Sequence, residues 1–373
     1  MLHVLSIQSD IIGNKTYSTI LRESFASRSD INLESHWYNS ARSVPTRVIN
    51  KLASFSVPVL DTGDRNRALR RARVEWAYGR TSRLLTERLL RTRSYDLLHF
   101  HTQIQAYDAV DLMKRIPTVI TTDMTASLAS KQRTVLHPWT YRMNIAMDRR
   151  VFAVAEHIVV MTEWARQSVI RDYGVDGRKV SVVPPGARLA TFSQPRFDER
   201  PAPKLLFIGG DFERKGGWDV LDVFTKHFAE TAELHIMTNK PIKLPDNNIH
   251  LHFGVLPYSP EWHQILRDAD ILVVPSYAEP YGLVFQEAGG YGLALVGSRV
   301  GGIPEIVVEG ETGVLIEPGD RQQLKATLEH LLSDRQRLAA MRKRSWEVAF
   351  ERFDAEKNTN RLAECFRSVA SAA

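Results

Sequence analysis

The chain contains a single cysteine, Cys365, among 373 residues. One thiol cannot form an intramolecular disulfide, so a disulfide scaffold is excluded and a reducing compartment is the expected setting. No run approaches the ~18–20 uninterrupted apolar residues of a membrane-spanning helix. The N-terminus, MLHVLSIQSDIIGN, lacks the basic segment and apolar stretch of a signal peptide and reads instead as a strand. These absences predict a cytoplasmic chain, or one peripheral on the inner face of a membrane. No P-loop, H-E-x-x-H, G-x-S-x-G or C-x-x-C is present, which disfavours kinases, zinc proteases, α/β-hydrolases and thiol redox enzymes. Internal repeats and low-complexity tracts are likewise missing.

What is present is ordinary globular composition with an uneven charge. Hydrophobic residues make up 43% of the chain, enough to bury a core in each of the two domains that this length implies. The net charge of +6 divides at Pro195: the first part has 28 Lys+Arg against 17 Asp+Glu, or +11, and the remainder has 21 against 26, or −5. Ten arginines fall between Arg65 and Arg93. They read either as a solvated helix face or as an amphipathic helix on an anionic membrane surface, with Leu69, Trp76, Leu84, Leu85, Leu89 and Leu90 at near-helical spacing. Nucleic acid is not expected, because no nucleic-acid-binding module accompanies the charge.

Short β-branched runs alternate with helical stretches along the chain. HVLSI, LLHFH, TVITT, HIVVMT and VSVVPP lie in the first part; KLLFIGG, ELHIMTN, IHLHFGVL, ILVVPS and ALVGS lie in the second. This rhythm predicts βαβ units with parallel sheets, in an N-terminal domain over 1–187 and a C-terminal domain over 204–349. The proline-rich stretch 188–203 is the expected linker. After Asp320 the pattern is purely helical, and the tail from Arg335, in particular about 350–373, is expected to pack back onto the N-terminal domain.

Ligands of parallel sheets bind beyond the carboxyl ends of the strands, so strand-to-helix loops are where chemistry is expected. In VVPSYAEPYGLVFQEAGGYGLALVGSRVGGIPEIVVEGETGVLIEPGD, 273–320, a buried strand leads through Glu279, Pro280, Tyr281 and Gly282 into a helix beginning near Leu283. Unpaired amides at Gly282, Leu283 and Val284 would make an anion site suited to phosphate. Glu279 could accept hydrogen bonds from sugar hydroxyls and Glu287 from a ribose diol. Taken alone, Glu279 reads first as a helix cap and Glu287 as a solvated acid, since acids are ordinary in first turns. In FIGGDFERKGGWDVL, 207–221, Lys215 ends a glycine-rich loop holding Gly209 and Gly210, where a cation serves phosphate.

Glu279 and Glu287 within EPYGLVFQE, followed by GG-x-PE at Gly301 to Glu305 and G-x-TG at Gly310 to Gly313, resemble the signature of retaining glycosyltransferases of family 4, which have the GT-B fold. Similarity extends to 207–221, to 252–276 and to 155–186, and is loose over the first 95 residues. The resemblance implies two Rossmann-like domains whose parallel sheets face an interdomain cleft. It implies a nucleoside diphosphate sugar donor, UDP- or GDP-linked, and an unknown acceptor hydroxyl, with no cofactor and no metal. Lys215 would hold the diphosphate, Glu279 the sugar hydroxyls and Glu287 the ribose, while backbone around Val255 reads the base. The family usually has an arginine at the position of Gly210, and Arg214 would supply that charge.

On the N-terminal side, Gly13 ends the first strand where the family commonly has two glycines, and a lone turn glycine reads equally well. His99 and His101 share one face of a strand and serve as acceptor-side candidates or as core hydrogen-bonding groups; no third metal ligand accompanies them. Asp123 ends the next strand, where related enzymes often have a histidine near the reacting carbon. Asp268-Ala269-Asp270 has a D-x-D form but precedes its strand, which predicts a surface cap or ion pair. The expected activity is hexosyl transfer with retention, acting on a glycolipid or polysaccharide precursor. The alternatives are a catalytically weak sugar-nucleotide-binding regulatory subunit and a sugar-nucleotide epimerase on the same fold.

Overall fold

The computed structural model describes residues 1–9, 14–40, 44–55, 69–189, 192, 195, 197, 202–245 and 248–372. They form two compact units, Met1–Pro185 with Glu356–Ala373, and Gly186–Ala355. The division falls near but not at the boundaries read from sequence, and much of the linker expected over 188–203 lies outside the described residues.

The N-terminal domain is built on a six-stranded parallel sheet: β1 (Leu2–Gln8), β2 (Ile31–Trp37), β3 (Leu97–His101), β4 (Thr118–Thr122), β5 (His157–Val160) and β6 (Val180–Val182), in the order β2-β1-β3-β4-β5-β6. β3 and β4 are buried along their whole length, and helices cover the sheet, which is why those strands read as continuous apolar or β-branched runs. Leu5, Ile7, Leu98, Phe100, Ile120 and Ile158 form the centre of the core. Capping follows the sequence: Thr162 accepts from the Ala165 amide at the start of Glu163–Tyr173, and Gly174 ends that helix in the left-handed conformation.

The C-terminal domain holds β7 (Lys204–Ile208), β8 (Glu233–Thr238), β9 (Ile249–Phe253), β10 (Ile271–Val274), β11 (Ala294–Ser298) and β12 (Gly313–Ile316), again all parallel, in the order β12-β11-β10-β7-β8-β9. This is the doubly wound order, and its switch point lies between β7 and β10. Both sheets are thus Rossmann-like. β2 and β12 were not anticipated. INLESHW is only partly buried, and GVLI opens on a glycine, so neither presents a long apolar run.

The helical tail divides. Arg335–Arg352 stays with the C-terminal domain, where Ser345 packs against Gly289. Only the last helix, Ala355–Ala372, belongs with the N-terminal sheet: Phe366 stacks on Phe25 at 5.8 Å, and Arg367 pairs with Asp30 at 2.6 Å. Asp270 also corrects the surface expectation. It is buried, pairs with Arg342 at 2.9 Å with both side chains 4% exposed, and accepts from the Lys204 amide. It therefore ties β7 to the tail helix inside the domain. Asp268 is half-buried and accepts from Gln264.

The arginine-rich segment forms a helix over Arg70–Leu90. Its buried side is mainly small: Ala72, Ala77, Gly79, Thr81, Ser82, Leu85 and Thr86. Leu89 and Leu90 pack on the domain's own core, while Trp76 remains 45% exposed. Several arginines are engaged within the domain. Arg80 pairs with Asp108, Arg83 with Glu87 and Asp111, and Arg93 with Glu34; Arg71 lies over the Tyr141 ring at 4.0 Å. The leucine stripe is hence mostly an inward-facing feature. Among the described residues no helix is long and apolar enough to cross a membrane.

Candidate active site

The loops flanking the C-terminal switch point bring the predicted residues together. After β7 the chain runs through Gly209 and Gly210 to Lys215, then turns at Gly216 into the helix Gly217–His227. After β10 it passes Glu279 before entering the helix Leu283–Gly290. Backbone contact locks the two loops together, because the Tyr277 amide donates to the Arg214 carbonyl at 2.8 Å. Gly216 has φ +76°, and a Cβ there would lie 2.3 Å from the Pro275 carbonyl oxygen, so only glycine allows this approach. The loop after β11 closes in similarly. Gly301, the first glycine of the sequence VGG, is the point where a Cβ would fall 1.6 Å from the Glu279 carbonyl oxygen.

Three charged side chains meet at this junction. Lys215 Nζ contacts Glu279 Oε2, and Arg214 Nη1 lies 3.5 Å from the same oxygen while donating to the Ala278 carbonyl at 2.6 Å. Glu279 is 8% exposed, and the Lys215 side chain is nearly as enclosed, so the ion pair lies largely out of water and is little screened. Arg214 also pairs with Asp211. Gly282, at φ +99°, caps the helix Leu283–Gly290, whose first amides have no partner within the helix. Gly210 is exposed, and the nearest atom to a Cβ there would be Asn239 Nδ2 at 3.9 Å. Packing therefore leaves room at this position for a longer side chain.

Glu287 lies on the second turn of that helix and accepts from the Tyr258 hydroxyl at 2.8 Å. Burial pushes its carboxyl up to about 7, with Tyr258, Arg188 and Lys215 pulling the other way. The Arg188 guanidinium sits 4.7 Å over the Tyr258 ring, and Tyr258 itself adopts φ +62°. Tyr258 and Arg188 were not anticipated. Tyr258 lies three residues past Val255 in LPYS, and Arg188 lies in the stretch read as a linker, so neither sits in a motif that spacing could pick out. Tyr281 is buried, and its hydroxyl donates to Gln286, which in turn donates to the Gly186 carbonyl. Its phenol is thus engaged within the protein. Val255 is half-buried in the loop that leaves β9.

In the N-terminal domain the strand order reverses between β1 and β3, and His99 and His101 lie on β3 there. Gly13 is outside the described residues. Both nitrogens of His99 are used, Nδ1 with Ser6 Oγ at 2.8 Å and Nε2 with Thr121 Oγ1 at 2.6 Å, and burial pushes its pKa down to about 3. It is a core histidine with no nitrogen left for an acceptor. His101 differs: it ends β3, is fully buried edge-on to Tyr17 at 4.8 Å, and among the described residues neither ring nitrogen meets a partner in good hydrogen-bond geometry. Burial lowers it to about 4, so the ring is neutral. Asp123 follows β4, the strand next to β3, and is half-buried. A pair of acids, half-buried Glu75 and buried Asp148, was also missed. Glu75 is raised by burial to about 7 and Asp148 to about 6, with Asp148 held by the Ala126 amide and by the Tyr107 and Tyr173 hydroxyls. Glu75 lies among the arginines that dominated the sequence reading, and Asp148 in an ordinary helix.

Residues 193–347 match the family described as Glycosyl transferases group 1, and residues 53–191 match Glycosyltransferase Family 4. The chain belongs to the family 4 glycosyltransferases. Among its relatives, D-inositol 3-phosphate glycosyltransferase of Corynebacterium efficiens is 28% identical over 270 residues, covering 64% of this chain and 63% of that protein. The Xylanimonas cellulosilytica protein of the same name is 30% identical over 222 residues, 52% of this chain and 53% of its own length. The matches thus span less than two thirds of these relatives. Sucrose-phosphate synthase from Thermosynechococcus elongatus superposes with TM-score 0.78 at 16% identity, covering both chains completely. HepE from Anabaena, solved with UDP and glucose, gives 0.67 at 15% identity over 99% of this chain and 100% of its own. The two Rossmann-like domains of this family 4 member are those of the GT-B fold.

The raised Glu287 has a measurable consequence. Its folded pKa of about 7 exceeds the unfolded value near 4.5, so the unfolded chain loses this proton first and stability from Glu287 falls as pH rises between the two values. Above about 7 the penalty is constant, on the order of 3 kcal/mol. The melting-temperature advantage of Glu287→Gln over wild type is expected to grow from pH 4 to pH 7 and then level off. A difference independent of pH would contradict the burial argument.

Proposed function

We propose that this chain is a retaining glycosyltransferase that moves a hexosyl group from a nucleoside diphosphate sugar to an acceptor hydroxyl. The observation that carries the reading is the convergence of Lys215 and Arg214 on Glu279 beside the start of the helix Leu283–Gly290. When the anomeric C–O bond breaks, the sugar becomes oxocarbenium-like and negative charge develops on the departing diphosphate. Lys215, Arg214 and the amides after Gly282 are the groups that would meet that charge, the largest catalytic contribution expected in such a site. A divalent metal is not required for a charge already met by two cations and a helix start.

Glu279 then has two tasks. It holds Lys215 in place before the donor arrives, and it accepts from sugar hydroxyls once the ammonium turns toward phosphate. Glu287 with Tyr258 forms the polar end that would take the ribose, and the backbone at Val255 would face the base. Retention implies attack from the face the diphosphate leaves, with a donor phosphate oxygen taking the acceptor proton; Asp123 and His101 would orient the reacting groups. A UDP-sugar is the first donor to test, because UDP and glucose are what HepE was solved with. A phosphorylated polyol such as inositol 3-phosphate is a matching first acceptor, given the name of the relatives.

The acceptor could also be presented at an anionic membrane surface, the protein being otherwise cytoplasmic. Support comes from exposed Val48, Leu52 and Phe55 on and just after the helix Val44–Ser54, and from exposed Trp76, Arg70 and Arg88 on the helix Arg70–Leu90. Vesicles containing phosphatidylserine should bind the protein at low salt and release it at high salt. Equal binding to neutral and anionic vesicles would remove this part of the proposal.

Activity is tested by nucleoside diphosphate release from a panel of UDP- and GDP-sugars, with and without acceptor. Wild type should release nucleotide slowly without acceptor and faster with it. Lys215→Ala and Glu279→Ala should each lower turnover by about 10²–10³-fold. Near wild-type rates in both variants would overturn the site. Donor interconversion without nucleotide release would instead mark an epimerase, and donor binding without turnover a regulatory subunit.

A further inference from the structure

β8 and β9 carry an unusual concentration of imidazole on one face. Glu233 and His235 are two apart on β8, and His250 and His252 two apart on β9, so each pair projects to one side of its strand. The parallel register sets His235 opposite His250. One donor atom from each of Glu233, His235 and His250 lies within 4.8 Å of the others. The rings of His235 and His250 stack at 4.8 Å, and those of His235 and His252 at 5.2 Å.

From this geometry we infer that Glu233, His235 and His250 form a binding site for a borderline-soft divalent cation, with Zn²⁺ the ion their donors suit best. Two imidazoles and a carboxylate are a common zinc donor set, and the ordinary bond lengths of about 2.0–2.2 Å require the three donor atoms to close by only about 1 Å. The nitrogen of His235 that faces Glu233 Oε2, at 3.3 Å, is Nε2. Its other nitrogen, Nδ1, lies 2.9 Å from Nε2 of His252. With metal on Nε2, the Nδ1–H donates to His252, which fixes tautomer and ring orientation as the outer partners of metal-bound histidines do. His250 is exposed and the other two ligands half-buried, so an ion can enter and a water can complete the fourth position. Lys204 Nζ, 3.1 Å from Glu233 Oε2, competes for the carboxylate and weakens the site.

The site shares no residue with the Lys215 junction, and its effect is structural. β9 is the outer strand of its sheet, paired on one side by β8 alone. A cation bridging β8 and β9 would clamp this edge. β9 leads directly to Gly254 and Val255, so the clamp would also steady the loop assigned to the base.

The test uses tag-free, chelator-treated full-length protein. Calorimetric titration with Zn²⁺ should show one equivalent bound, Co²⁺ should give the intense visible bands of a tetrahedral site, and Mg²⁺ should give nothing. His250→Ala, an exposed position that leaves the fold intact, should weaken Zn²⁺ at least about tenfold, and Glu233→Gln likewise. Hydrogen exchange of β9 amides should slow on adding Zn²⁺ to wild type but not to His250→Ala. Unchanged Zn²⁺ affinity in His250→Ala, or no binding by wild type, would overturn the inference and leave the histidines as a stacked polar face.

Discussion

Enclosing a carboxylate is costly unless a cation and hydrogen bonds compensate for lost water, and Glu279 meets that demand with Lys215 and Arg214. The pair is a constraint on the whole C-terminal domain. Lys215 comes from the loop after β7 and Glu279 from the loop after β10, so they meet only because these strands are neighbours across the switch in strand order. The backbone must then approach closely enough for the side chains to touch. Gly216 against Pro275 and Gly301 against Glu279 are the two places where a Cβ would prevent it. A nucleoside diphosphate entering here would find a cation already positioned, with little ordering left to do on binding.

Most of this junction was legible in the sequence because its chemistry is tied to backbone features that leave a local mark. The glycine before the helix at Gly217, the spacing of Glu279 and Glu287, and the first glycine of VGG each answer to one loop. The alternation of strands and helices showed the fold for the same reason, since strands covered on both faces read as apolar runs. β2 and β12 escaped that reading because INLESHW is half-polar and GVLI is short and opens on a glycine.

What escaped was set by tertiary neighbours. Tyr258 and Arg188 come together under Glu287 from positions 70 residues apart, and nothing in either segment announces the partner. Asp270 looked like a surface acid and is held inside by Arg342 from the tail. His99 and His101 are indistinguishable by spacing, yet Ser6 and Thr121 hold both nitrogens of the first, while among the described residues the second has no well-formed side-chain partner. The arginine-rich helix misled in another way. Charge counting cannot see Asp108, Asp111 and Glu34, which neutralise part of it, nor the small residues that make its buried face.

The central claim is that Lys215 serves the donor diphosphate and that Glu279 holds it in readiness while competing for it. Titration of UDP and GDP, which lack the sugar, into wild type, Lys215→Met and Glu279→Gln separates these roles. Whichever nucleotide binds, Lys215→Met should weaken it at least about tenfold, whereas Glu279→Gln, which frees the ammonium, should bind it as well as wild type or better. Equal weakening in the two variants, or none in Lys215→Met, would contradict the account.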